Sequence, residues 1–173
     1  PTLTTVFAGL PGADLAGALY SVERASDHEV VFVLRRGDLE VRKIYRRPNE
    51  QYEMEFLVEI SNLGSAAIDS GFSILVPTAV NDRVDFKELS LVAMVGDDVT
   101  REMVPAVGGG SFFGGLFGGD EGPFQARSDV GWAGIDLRYF ASLVIPADPT
   151  DVGVAFVPVV QGKVALARLD QHG

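Results

Sequence analysis

A side-chain period of two dominates this chain, and it is clearest from Tyr52 to Ser61. Tyr52, Met54, Phe56, Val58 and Ile60 share one face, while Glu53, Glu55, Glu59 and Ser61 lie mostly opposite. Successive residues of a strand point to opposite sides of a sheet, so the pattern predicts a strand with one dry side and one wet side. The three glutamates read as solvating charge, the usual siting of exposed carboxylates. Further strand candidates lie at 2–8, 19–25, 29–35, 39–46, 72–76, 88–95, 99–104, 132–145, 152–160 and 163–169. Their recurrence about every ten residues is the spacing of an all-β sandwich or barrel. Several are joined by turns rich in residues that accept positive φ, namely Arg36-Gly37-Asp38, Gly96-Asp97-Asp98 and Gln161-Gly162. The expected fold is all-β, built from consecutive antiparallel hairpins.

Composition points the same way, because 20 Gly and 9 Pro among 173 residues favour turns over helices. Asp14 to Leu19 and Asp82 to Leu89 could each form a single helical turn, but neither sustains the apolar spacing of a longer helix. No repeat of fixed period is present, and residues 1–173 read as one β-rich domain. One stretch interrupts the rhythm: eight of the fifteen residues from Gly108 to Gly122 are Gly, and they surround Phe112, Phe113, Leu116 and Phe117. Glycine at that density predicts a mobile loop. Its apolar side chains make those four residues candidates for contact with lipid or a partner protein.

Charge and missing residue types remove several classes. The chain has no Cys, so it offers no disulfide framework, thiolate metal site or cysteine nucleophile. A formal net charge of −10 argues against nucleic acid, whose phosphates require clustered Lys and Arg, and against electrostatic docking on anionic lipid. No apolar run reaches the roughly 18 residues of a membrane span. The sequence opens at Pro1, without an initiator Met or signal peptide, and is read as a piece of something longer.

Several short motifs have plainer readings. Arg36-Gly37-Asp38 spells an adhesion tripeptide, yet it falls where a hairpin needs a Gly. The Gly-rich run could suggest a phosphate cradle, but it passes into Asp120 and Glu121 rather than a Lys-Ser/Thr pair and helix. His28 lies in a turn and His172 beside the last residue, so neither is set in a catalytic triad. Asp97-Asp98 and Asp120-Glu121 lack the ligand series of a calcium loop. No residue is assigned a catalytic role, and no cofactor or metal is expected.

Two stretches carry more than generic β sequence. From Leu39 the chain reads LEVRKIYRRPNEQYEMEFLVEISNLG, with Lys43, Tyr45, Tyr52, Val58, Asn62 and Gly64 at characteristic positions. From Gly131 it reads GWAGIDLRYFASLVIP, with Gly131-Trp132 ahead of Tyr139-Phe140 and a close at Ile145-Pro146. In this order and separation they resemble the large periplasmic domain of bacterial YidC-type membrane-protein insertases, over about Tyr20 to Asp148. The resemblance implies an antiparallel β-supersandwich of the galactose-mutarotase-like type, in an incomplete copy. It also implies a non-catalytic scaffold or interaction module on the periplasmic side of the inner membrane, within a parent that inserts and helps fold membrane proteins. The implied partners are the Sec translocon, accessory subunits and membrane-protein clients. Trp132, Tyr139 and Phe140 are then expected as aromatic anchors of the core. The Gly-Phe loop departs from the family pattern, so no role for it is carried over. The alternative is a carbohydrate-binding or mutarotase-like domain, whose chemistry would need a His and carboxylate pair.

Overall fold

The computed structural model describes residues 4–10, 15, 17–48, 52–77, 89–103, 124–158 and 165–172. The chain is all-β, and among the described residues every strand pairing is antiparallel and no helix occurs. Among the described residues the strands are β1 (Thr4–Ala8), β2 (Ser21–Ala25), β3 (Glu29–Arg36), β4 (Leu39–Arg46), β5 (Glu55–Asn62), β6 (Gly71–Pro77), β7 (Ser90–Val95), β8 (Asp98–Met103), β9 (Gln125–Ala126), β10 (Val130–Asp136), β11 (Ala141–Val144), β12 (Val152–Pro158) and β13 (Ala165–His172). The sequence reads as one domain, whereas the structure divides into two compact units, Pro1–Ala8 with Ser70–Gly173, and Gly9–Asp69. The second unit is an excursion of the chain between β1 and β6, which pair directly with Ala8 opposite Gly71.

The first unit is a sandwich of a five-stranded sheet, β1-β6-β13-β12-β9, and a four-stranded sheet, β11-β10-β7-β8. Alternation builds its core: Val152, Val154 and Phe156 come from β12, while Leu91 and Ala93 of β7 and Ala133 and Ile135 of β10 come from the other sheet. Val76 and Leu169 complete the five-stranded side, and the Phe124 ring packs 5.1 Å from that of Phe156. β7 has β10 on one side and β8 on the other, and its residues 90–93 are buried on both faces.

The segment 132–145, expected as one strand, is a hairpin. β10 ends at Asp136, residues 137–140 reverse the chain, and β11 begins at Ala141 opposite Asp136. The amide of Leu137 donates to the carbonyl of Phe140 at 2.7 Å to close the turn. β9 was not anticipated, since two residues carry no readable period. The Gly108–Gly122 stretch, including Phe112, Phe113, Leu116 and Phe117, lies outside the described residues, as do Gln161-Gly162 and residues 82–88.

The second unit contains a four-stranded meander, β2-β3-β4-β5. Its two-residue turn Gly37-Asp38 places Gly37 at φ 58°, the left-handed region that glycine enters without steric cost. The adhesion-like tripeptide is thus a tight hairpin. Gly96 does the same between β7 and β8, at φ 57°. One face of the meander carries a charged row across all four strands. Arg24 donates to Glu29 at 2.8 Å, and Arg46 lies between Glu29 and Glu55 at 2.8 and 3.2 Å. A second set joins Glu23, Arg42, Glu40 and Arg35. Between the two run Val31, Ile44 and Leu57, in register across three strands, with Val31 and Ile44 buried. Arginine stems can cover such a stripe while their heads stay in water.

Two expectations follow. A Cβ at Gly134 would fall on the Ser142 carbonyl oxygen and crowd the Leu143 backbone, so Gly134→Ala must push β11 away. The cost should be about 1–3 kcal/mol in thermal unfolding. Gly131→Ala, which meets the mobile end of Met94, should cost less. Hydrogen bonds from Arg46 and then Arg24 hold the Glu29 carboxyl below its ordinary 4.5. That depressed value means its stabilising contribution is full above pH 4.5 and is lost as pH falls through the folded-state value. Glu29→Gln should therefore flatten the acid limb of melting temperature against pH, and an unchanged acid limb would contradict the ladder.

Candidate interaction surfaces

The face of the meander opposite the charged rows is aromatic. Register places Val30, Tyr45 and Phe56 in one row, and Phe32, Lys43 and Val58 in the next. The Tyr45 ring lies 4.7 Å from Phe56 and meets Phe32 edge-on at 5.9 Å. Such pairs add about 0.5–1.5 kcal/mol each beyond their burial. Lys43 holds its ammonium 4.3 Å from the centre of the Tyr20 ring, so the residues leading into β2 reach this face. Burial lowers the Lys43 pKa and raises that of Tyr45; at Tyr20 burial is the larger cause of a raised value and Tyr45 the smaller. Among the described residues, the buried Tyr20 hydroxyl has no hydrogen-bond partner. This arrangement can stack against a planar or apolar group, with one cation at its centre.

The other residues singled out in the stretch from Leu39 do separate jobs. Tyr52 precedes β5 and is 98% exposed, so it and Met54 do not extend the dry face. Half-burial continues at Phe56, Val58 and Ile60, the part of the expected alternation that β5 retains. Asn62 accepts from the Gly64 amide at 3.0 Å and donates to the Ala66 carbonyl at 2.6 Å, shaping the exit from β5. Gly64 packs against the Asp38 side chain, which a Cβ there would have to displace, while the Leu63 amide donates to the Asp38 carbonyl at 2.7 Å. A shallow recess of about 380 Å³ lies beside edge strand β2, lined by Leu19, Ser21, Glu23, Val33, Leu34 and Arg35. These lining residues include no histidine. His28 sits in the exposed β2–β3 turn, its amide donating to Ser26 Oγ at 3.3 Å.

The stretch from Gly131 forms the β10–β11 hairpin, and here the expectation of aromatic core anchors is corrected. Tyr139 and Phe140 are 76% and 77% exposed, because they occupy the reversing turn rather than a strand. Trp132 is half-buried on the outer face of its sheet beside Met94, opposite the inward-facing Ala133 and Ile135. Pro146 follows β11 and is half-buried, and Gly131 lies against the Met94 methyl. Arg138 holds its guanidinium 5.3 Å from the Tyr139 ring centre. Leu143 of β11 and Ile145 just beyond its end add further exposed apolar surface. Sequence reasoning missed Tyr20, Arg138, Leu143 and Ile145; the hydrophobic residues at odd positions were visible, but only the turn shows that they face solvent.

The Glu102 carboxyl at edge strand β8 is pushed up by burial, opposed by the Phe124 backbone amide. Among the described residues, no group of three or more His, Asp or Glu side chains is placed to hold a metal ion. No helix among them is long and apolar enough to cross a membrane. Comparison of the chain with protein-family models and with curated proteins finds no match.

The two aromatic environments predict different energetic costs. Phe156, 1% exposed, should lose about 3–5 kcal/mol on change to Ala. Trp132→Ala should lose clearly less in the same denaturation experiment, and equal losses would return Trp132 to the core.

Proposed function

We propose that this chain is a large part of the periplasmic domain of a YidC-type membrane-protein insertase. In this reading it works without catalysis, as a scaffold or interaction module that assists the insertion and folding of inner-membrane proteins. Its fold would be an incomplete copy of the galactose-mutarotase-like supersandwich. Its partners would be the Sec translocon, accessory subunits and membrane-protein clients, met on the periplasmic side of the inner membrane.

The observation that carries the reading is the pair of stretches LEVRKIYRRPNEQYEMEFLVEISNLG and GWAGIDLRYFASLVIP. Each resembles the family, and each contains one pair of adjacent antiparallel strands, β4–β5 and β10–β11. Both pairs show aromatic residues to solvent or half-bury them, as a binding scaffold requires. An interaction role needs surface features of this kind more than it needs converging acids and bases.

The reading frame that encodes these residues should also encode apolar spans of about 20 residues on both sides, one before and several after. In cells depleted of their own insertase, the full product should restore insertion of a single-spanning client. A frame without flanking spans, or a full product that restores nothing, overturns the proposal.

A further inference from the structure

Of the thirteen large apolar residues exposed among the described residues, four gather at one edge. Tyr139, Phe140, Leu143 and Ile145 fall within seven consecutive residues, and each is exposed. They belong to the turn, strand and exit of β11, the outermost strand of its sheet. A contiguous apolar patch on a loop and an edge marks an interaction surface.

Charge narrows what that surface accepts. From Leu137 to Ala147 the chain carries no carboxylate, although it has 24 Asp and Glu in all, and the sole charged side chain there is Arg138. The acids that bound this window are already engaged. Asp136 pairs with Arg101, and Asp148 accepts from the Thr150 amide and hydroxyl at 3.0 and 2.6 Å. An apolar strip with one Tyr and one Arg matches a lipid–water interface, where Tyr sits at headgroup level and a cation meets phosphate.

We propose that the β10–β11 hairpin docks edge-on upon a zwitterionic phospholipid surface. Phe140, Leu143 and Ile145 enter the acyl boundary, Tyr139 lies among the headgroups, and Arg138 faces their phosphates. The outer backbone groups of β11 need hydrogen bonds, which keeps the strand in the hydrated headgroup layer and makes the docking shallow. Zwitterionic lipid is specified because a chain of net charge −10 is repelled by a strongly anionic surface. Pairing with an added protein strand is disfavoured, since β11 offers four residues and Pro146 lies two residues beyond its end. This proposal does not depend on the insertase reading.

The test uses the 173-residue protein and unilamellar vesicles of phosphatidylcholine and phosphatidylethanolamine, read by flotation. The variant Tyr139→Ser/Phe140→Ser/Ile145→Ser should retain the wild-type melting temperature, because all three side chains are exposed. Its partition into vesicles should fall by about tenfold or more, equivalent to about 1.4 kcal/mol. Tyr52→Ser/Leu63→Ser, which removes exposed apolar groups elsewhere, should bind as wild type does. Absence of wild-type binding, or equal binding by the hairpin variant, overturns the proposal. So does a concentration-dependent dimer, lost in the hairpin variant and indifferent to vesicles, which would assign the edge to a second copy of the chain.

Discussion

The pairing of β1 with β6 is the constraint on which the rest of the architecture depends. Five residues of β1 run antiparallel to β6, from Thr4 opposite Leu75 to Ala8 opposite Gly71. That ladder brings together the two points where the chain leaves for the meander and returns from it. It also secures β6, whose other edge receives β13, which in turn carries β12 and the Phe156 side of the core. The antiparallel pairing is non-local, so it gains its hydrogen bonds only after a long closure.

Much of the local structure was legible because local rules governed it. Strand 29–36 follows a continuous apolar run from Val30 to Leu34 and strand 39–46 a spaced Leu39, Val41 and Ile44, and the Gly between them takes the left-handed conformation that the turn demands. The hairpin 130–144 was not legible, for a specific reason. Ile135, Leu137, Tyr139, Ala141, Leu143 and Ile145 keep one alternation running through the reversal, and no Gly, Pro or Asn marks residues 137–140. A period of two reports which residues share a face of a continuous strand, whereas this reversal sets Ile135 opposite Ser142 and Leu143 opposite Gly134, so the odd positions change face across the turn.

That concealed turn decided the candidate surfaces. Aromatic residues in an unbroken strand would have been assigned to the core, whereas on a turn the same residues face water. Burial was thus misread through topology, while the chemistry of the residues was read correctly as apolar and aromatic. The Lys43–Tyr20 contact escaped for a related reason, since twenty-three residues separate the partners and only the folding of the segment before β2 joins them. Sheet order likewise lay beyond sequence pattern: nothing in alternation says that β13 lies between β6 and β12.

The direct pairing of Ala8 with Gly71 has a consequence for chain length. Once the entry and exit of an excursion are fixed on neighbouring strands, the closure entropy rises only with the logarithm of its length, about 0.6 kcal/mol for each doubling. The sandwich is therefore almost indifferent to how much polypeptide is spliced in at that point. Residues 9–69 occupy a position where insertion and deletion leave the host ladder intact, so this unit is free to diverge in size and surface while the strands on either side keep their register.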